Sequence, residues 1–260
     1  MAVKFGHLWH RASDALPIYP YLCMVMSEPV FRFKQFNVRH DRCAMKVGTD
    51  GVLLGAWATV EGCRRILDIG TGTGLVALMA AQRATMAQVV GIEIDDEAVR
   101  QACDNVADSP FAARIAIVSA DIRHYESDAP FDAILCNPPF FSEDTLPDSP
   151  SRALARHNAL LSFEALLEAA VRLLSSDGLF TVILPHAECT RFTTEAFCRG
   201  LFLTRQCHVH TVSHKPPKRV LLTFSRSAPI ATAPETLVLQ NADGTRSEAY
   251  TTLTKDFYLW

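Results

Sequence analysis

Apolar residues along this chain fall into short runs whose period switches between that of a buried strand and that of a helix. Runs at 65–69, 89–94, 115–122 and 131–136 predict buried strands. Between them, 75–82 is rich in Ala, Leu and Met, and 97–105 follows a cluster of acids; both read as helices. Further on, Phe163, Leu166, Leu167, Ala170, Val171 and Leu174 recur at helical spacing, predicting a helix over 162–174. Gly178 ends that connection. A fifth strand over 179–184 stops at Pro185, and a helix over 188–199 closes on Gly200. The stretches 202–212 and 220–225 read as an antiparallel pair closing the sheet edge. Upstream, Phe31-Arg32-Phe33-Lys34-Gln35-Phe36 alternates as a short strand does, and Thr49 or Asp50 can cap a helix through Val52, Leu53, Leu54 and Trp57. Strands alternating with helices predict an α/β fold with a parallel, doubly wound sheet, whose ligands bind beyond the carboxyl ends of the strands.

Composition changes this picture little. At 260 residues with 49% hydrophobic content, the chain supports a substantial core. The net charge of -3 gives no global basic signal, so nucleic-acid contacts must come from local patches. None of the eight cysteines forms a C-x-x-C pair, as expected of reduced thiols in a cytoplasmic protein. No apolar run approaches the ~20 residues of a membrane span. Residues 1–26 are expected to be an extension without a folded role: Pro20 interrupts their apolar stretch, and Met26-Ser27 reads as an alternative start. Residues 27–60 are then expected to form a separate N-terminal segment, and 61–260 the main domain.

The candidate chemistry sits where the strands end. Asp68-Ile69-Gly70-Thr71-Gly72-Thr73-Gly74 is a glycine-rich turn with a carboxylate two residues ahead of it. That suits an amine-bearing or cationic ligand better than a pyrophosphate. The next strand ends at Glu93, 23 residues after Gly70, where an acid accepts hydrogen bonds from ribose hydroxyls; Asp95 or Asp96 is left to favour the next helix. Asp121 can accept from an exocyclic adenine amine with Ile122 against the ring, although a loop aspartate is the commoner case. The run Ile134-Leu135-Cys136 enters Asn137-Pro138-Pro139-Phe140. Proline fixes φ and lacks an N–H, so the ladder stops there and a stiff corner presents one amide and one aromatic ring.

Charge and histidine patterns leave alternatives. Five basic residues (Arg32, Lys34, Arg39, Arg42, Lys46) against three acids over 26–50 read as a phosphate-facing patch or as a solvated face. Arg152, Arg156 and His157, in the polar loop 142–158, and Lys215, Lys218 and Arg219, in the 214–219 turn, are open to the same two readings. His208-Val209-His210 puts two imidazoles on one strand face without an evident third ligand, so no metal is expected.

The segment 67–74 resembles the first motif of class I S-adenosylmethionine-dependent methyltransferases, and Asn137-Pro138-Pro139-Phe140 resembles the fourth motif of their amino-group methylators. Lys46-Val47-Gly48-Thr49-Asp50-Gly51-Val52-Leu53-Leu54-Gly55 is similar to the N-terminal signature of the bacterial family that N6-methylates adenine 37 in valine tRNA. Arg152…Ala155-Arg156-His157 and Lys215-Pro216-Pro217-Lys218-Arg219 are similar to that family too. The resemblance spans about 30–226. It implies a Rossmann-like fold with a seven-stranded, mostly parallel sheet, one antiparallel strand and helices on both faces. It also implies S-adenosylmethionine held by Asp68, Gly70, Gly72, Gly74, Glu93, Asp121, Ile122 and Asn137, with Lys46, Thr49 and Asp50 lying over it. Asn137, Pro138, Pro139 and Phe140 would hold the target base. The RNA would be held by Arg32, Lys34, Arg152, Arg156, His157, Lys215, Lys218 and Arg219. Many relatives carry Tyr at the position of Phe140, so no role of that hydroxyl is available here.

The expected partner is tRNA, with no metal and no membrane, and the expected location is the cytoplasm; the sequence leaves the oligomeric state open, with a monomer favoured. The Asn-Pro-Pro-aromatic corner alone also admits a release-factor glutamine N5 or a ribosomal guanine N2 as acceptor, and a non-catalytic RNA-binding scaffold is the reading from another class. Too few residues precede Ile66 for the helical N-terminal domain of glutamine methylators. The glycine spacing disfavours a nicotinamide-dependent oxidoreductase.

Overall fold

The computed structural model describes residues 30–43, 46–138, 161–229 and 233–260. A small hairpin comes first, β1 (Val30–Arg32) with β2 (Asn37–Arg39), followed by α1 (Thr49–Trp57). The first half of the main sheet is β3 (Arg65–Ile69), α2 (Leu75–Arg83), β4 (Gln88–Glu93), α3 (Asp96–Ala107), β5 (Ile115–Ser119) and β6 (Phe131–Cys136). The second half is α4 (Phe163–Leu173), β7 (Leu174–Pro185), α5 (Cys189–Cys198), β8 (Phe202–Val212), β9 (Arg219–Ser225), β10 (Glu235–Gln240) and α6 (Glu248–Thr254).

The strands lie in the order β10-β8-β9-β7-β6-β3-β4-β5, and only β9 runs antiparallel to its neighbours. The reversal between β3 and its two neighbours, β4 and β6, is the topological switch point of the sheet. Two apolar clusters cover its faces. One holds α1, α2 and the hairpin aromatics; the other holds α4 and α5.

The mostly parallel sheet with one antiparallel strand agrees with expectation, but it has eight strands and not seven. The added strand is β10, which pairs parallel with β8 from Glu235↔Cys207 to Gln240↔Val212. The 202–212 and 220–225 pair therefore does not form the edge. In Glu235–Gln240 only three consecutive residues are apolar, too short a run to announce a strand.

The 31–36 alternation is likewise not one strand. The chain reverses there, with the Phe33 N–H donating to the Phe36 carbonyl at 2.9 Å. The Phe33 and Phe36 rings stack at 4.8 Å instead of alternating along a ladder. Neither Thr49 nor Asp50 caps α1; Gly48 holds the cap position without a side-chain bond.

Helix α3 carries the N-terminal segment. Its buried positions Ala98, Gln101, Ala102, Asn105 and Val106 follow helical spacing, yet two of them are amides. Asn105, 2% exposed, accepts from the Arg39 N–H at 2.8 Å and donates to the Arg39 and Thr73 carbonyls at 2.9 Å. Gln101 accepts from the Arg42 N–H at 2.7 Å and donates to Asp41 at 2.8 Å. Arg39 and Arg42 themselves pair with Asp108 and Asp104 of the same helix region. Two of the five basic residues in 26–50 are thus engaged by acids. The seven cysteines among the described residues are free thiols.

Candidate cofactor and substrate site

The glycine turn leaves β3 in a left-handed path, with φ of 68° at Gly70, 53° at Gly72 and 82° at Gly74, a region that side chains other than hydrogen rarely enter. The Gly70 and Thr71 N–H groups donate to the Ile92 carbonyl at 2.9 and 3.0 Å, tying the turn to the end of β4. Asp68 is 1% exposed. It accepts from the Thr71 hydroxyl at 2.6 Å and the Ala77 N–H at 3.1 Å. Burial pushes its carboxyl up to about 7 against the pull of those two donors. One carboxyl oxygen, Oδ2, receives both bonds and so clamps the turn to the start of α2.

Glu93 accepts from the N–H groups of Gly72 (3.0 Å), Ile94 (2.8 Å) and Asp95 (3.1 Å). Asp95 caps α3 by accepting from the Ala98 N–H at 2.9 Å. Capping and turn-holding are thus divided between neighbouring acids. Asp121 is engaged by Arg123, whose Nε lies 2.9 Å from both carboxylate oxygens. That donor holds the Asp121 carboxyl below the usual carboxylate range.

Two cavities open along these strand ends. The first, ≈ 250 Å³, is bounded by Glu93, Ile94, Asp121, Ile122 and Arg123. The second, ≈ 380 Å³, is bounded by Lys46, Thr49, Asp50, Asp68, Leu75 and Arg219. Gly70, Gly72, Asn137 and Pro138 border both, so the turn and the Asn-Pro corner form their common wall. Gly74 borders neither; it is the left-handed residue before α2. Cys43, Ile94, Ala98 and Leu161 also line the first cavity. Sequence reasoning did not single them out, although an isoleucine set between two strand-end acids is a usable signal for Ile94.

Helix α1 reaches the wall through two glycines a turn apart. A Cβ on Gly51 would lie 3.1 Å from Leu75 Cδ2 and 4.0 Å from Asn137 Nδ2, and one on Gly55 only 2.7 Å from Met79 Sδ. Small residues at both places let α1 lie directly on α2 beside the Asn137 amide.

The basic residues disperse. Arg219 donates to Asp50 at 2.8 Å. Lys34 donates its ammonium to the Lys255 carbonyl at 2.5 Å, which turns it toward the C-terminal segment. Arg32, Lys215 and Lys218 are exposed. Pro139, Phe140, Arg152, Arg156 and His157 lie outside the described residues. His208 sits 3.1 Å from His186, and His210 bonds the Lys215 carbonyl at 2.7 Å. Among the described residues, no cluster of three or more His, Cys, Asp or Glu is placed to hold a metal. No described helix is long and apolar enough to cross a membrane.

A family model described as the methyltransferase small domain matches residues 48–206. The chain is 48% identical over 235 residues to a tRNA1(Val) (adenine(37)-N6)-methyltransferase of Bacteroides thetaiotaomicron, covering 90% of this chain and 99% of that one. The chain belongs to the tRNA1(Val) (adenine(37)-N6)-methyltransferase family. A member from Escherichia coli O157:H7 is 44% identical over 233 residues, covering 88% of this chain and 95% of that one. Among solved structures, a predicted O-methyltransferase from Agrobacterium tumefaciens shares the fold at a TM-score of 0.61 and 22% identity, covering 80% of this chain and 96% of that one. In this chain, Gly51 and Gly55 are the residues that let α1 sit against α2 beside Asn137.

Proposed function

We propose that this chain uses S-adenosylmethionine to methylate N6 of adenine 37 in the anticodon loop of valine tRNA. The observation that carries the reading is the position of Asn137 and Pro138. They stand at the common wall of two cavities, one bordered by strand-end acids and the other by the family's N-terminal signature. The backbone of the turn suits a cofactor lying against it, because a Cβ on Gly70 would meet no atom within 4 Å.

When bound, S-adenosylmethionine supplies an electrophilic methyl on its sulfonium. Glu93, oriented by three amides, offers its remaining lone-pair capacity to a ribose hydroxyl, a bond to an ionised acceptor being worth about 1.5–3 kcal/mol. Asp121 accepts from a ring amine while sharing its carboxylate with Arg123, and the buried Ile122 supplies an apolar surface beside it.

The N6 lone pair of adenine is delocalised into the ring and is a poor nucleophile. The Asn137 side-chain oxygen and the Pro138 carbonyl each accept one N6–H. That favours a pyramidal nitrogen whose lone pair faces the methyl. Neither acceptor has to be a strong base, because the proton leaves after transfer. Catalysis then comes mostly from positioning and electrostatics. The resemblance of the Asn-Pro-Pro-Phe motif gives Phe140, outside the described residues, the role of stacking on the base, an interaction worth about 1–3 kcal/mol. In a single-stranded loop, turning the base out costs less than in a duplex. A cytoplasmic location follows from such a substrate.

The test is methylation of bulk tRNA from a strain lacking this activity, followed by nucleoside mass spectrometry of the anticodon-loop fragment. N6-methyladenosine at position 37 is expected. Label appearing in guanine N2, or in protein glutamine under parallel assay, would reject the adenine acceptor.

A further inference from the structure

Beside the cofactor cavities lies a third hollow of ≈ 520 Å³ that the reaction above leaves unused. This volume is within the roughly 300–1,000 Å³ of ligand pockets. It adjoins the second cavity through Thr49, Asp50 and Arg219, which border both. Its far wall is aromatic and layered. The Tyr258 and Trp260 rings stack with centroids 3.9 Å apart, and the Arg246 guanidinium lies 3.6 Å from the Trp260 ring centroid. Trp260 remains 42% exposed, and Arg246 is exposed.

The charge of this hollow is unbalanced. Arg219 is paired with Asp50. Lys218 and Arg246 also border the hollow, and no carboxylate among the described residues forms an ion pair with either. Arg246 is held in place through its backbone: Asn241 donates to its carbonyl at 3.2 Å, and it bridges to Gln240. A guanidinium over an aromatic ring holds the cation by cation–π attraction and still has donors free for phosphate and planar groups. Single-stranded RNA is recognised largely in this way, by bases stacked on aromatic rings or arginine planes with cations on the backbone.

We propose that this hollow is a second nucleotide subsite, receiving a loop nucleotide that flanks the methylated adenine. Its base extends the Tyr258–Trp260–Arg246 stack, and Lys218 meets its phosphate. The inference rests on the reading of a single-stranded tRNA loop as substrate. The shared border at Thr49, Asp50 and Arg219 places the subsite next to the cavity that the target base must approach.

The test is a binding cycle on anticodon stem-loop RNAs, each made abasic at one loop position other than the target. Wild-type protein, Arg246→Ala and Arg246→Lys are titrated in parallel, with thermal melts and S-adenosylmethionine titrations as controls on folding. For wild type, one abasic position should cost about tenfold in affinity. Arg246→Ala should bind the intact loop about tenfold more weakly and lose nothing further at that position. Arg246→Lys should keep the salt dependence yet stay insensitive to the same abasic site. Equal losses for wild type and Arg246→Ala at every abasic position, or an unchanged affinity of Arg246→Ala for the intact loop, would overturn the subsite. Failure of the wild-type protein to methylate the intact loop would instead remove the underlying reading, whatever the cycle gave.

Discussion

Arg219, the first residue of β9, donates its Nε to the Asp50 carboxylate in α1 at 2.8 Å. The contact spans 169 positions of sequence and ties the second cavity to the turn that carries Lys215 and Lys218. Both side chains are about one-third exposed, so solvent screens the pair and its worth is about 0–1 kcal/mol. Its consequence is geometric: Arg219 is partly neutralised before any RNA arrives, whereas Lys218 is not. Lys218→Ala should therefore weaken tRNA binding and reduce the salt slope by close to one phosphate contact, about 0.7 in log-log terms for a single strand. Arg219→Ala should change that slope less. Affinities measured from low to high salt give both slopes, and a steeper loss for Arg219→Ala would contradict the pairing.

Asn137→Ala removes the side-chain acceptor from the common wall without touching Glu93 or Asp121. Transfer should fall by about 10²–10³, the scale of losing one preorganised polar contact in a transition state. The affinity for S-adenosylmethionine should stay within a few-fold of wild type. Single-turnover rates together with calorimetric titration separate the two. Normal turnover in this variant would mean that the corner does not hold the amine.

A Cβ on Gly91 would lie 2.8 Å from both Thr71 Oγ1 and Ile117 Cδ1. Gly91 pairs across the ladder with Asp68, whose carboxylate receives the Thr71 hydroxyl. Gly91→Ala is therefore an overpacking change that also displaces the clamp on the glycine turn. It should cost about 1–3 kcal/mol of stability and weaken cofactor binding together. Urea unfolding and S-adenosylmethionine titration on the same variant test this; a stability loss with full cofactor affinity would uncouple the two.

What could be read from the chain was whatever carries a local pattern. β3, β4 and β6 are apolar runs that end in a glycine turn, an acid and an Asn-Pro corner. Their ends converge because parallel strands put all carboxyl ends on one side. What could not be read depends on partners far away in sequence. Arg39 and Arg42 look like a basic patch until α3 supplies Asp108 and Asp104. Asp50 looks like a helix cap until β9 supplies Arg219. β10 has too few apolar residues to declare itself, and it becomes a strand only because β8 offers an open edge. Asp68 reads from sequence as a carboxylate facing a cationic ligand, and only the fold shows that its Oδ2 also clamps the turn by accepting from Thr71 and Ala77.

The buried Asp68 makes stability depend on pH in a direction that can be worked out. Its folded carboxyl titrates at about 7, above the ordinary value of 3.8. Between those values the folded protein keeps a proton that the unfolded chain has released. By linkage, this carboxyl's contribution to stability is fully present below about 4 and is lost as the pH rises through about 7. Asp68→Asn removes that titration while keeping an oxygen to accept from Thr71 and Ala77. The stability of wild type relative to Asp68→Asn should therefore drop between pH 5 and pH 8, as measured by urea midpoints of both proteins at each pH. Thr71→Val, which deletes one donor to the carboxylate, should push the titration higher and extend the decline to more alkaline pH. A difference that stays flat over this interval would show that the two donors offset burial, with the carboxyl lying at or below its ordinary value.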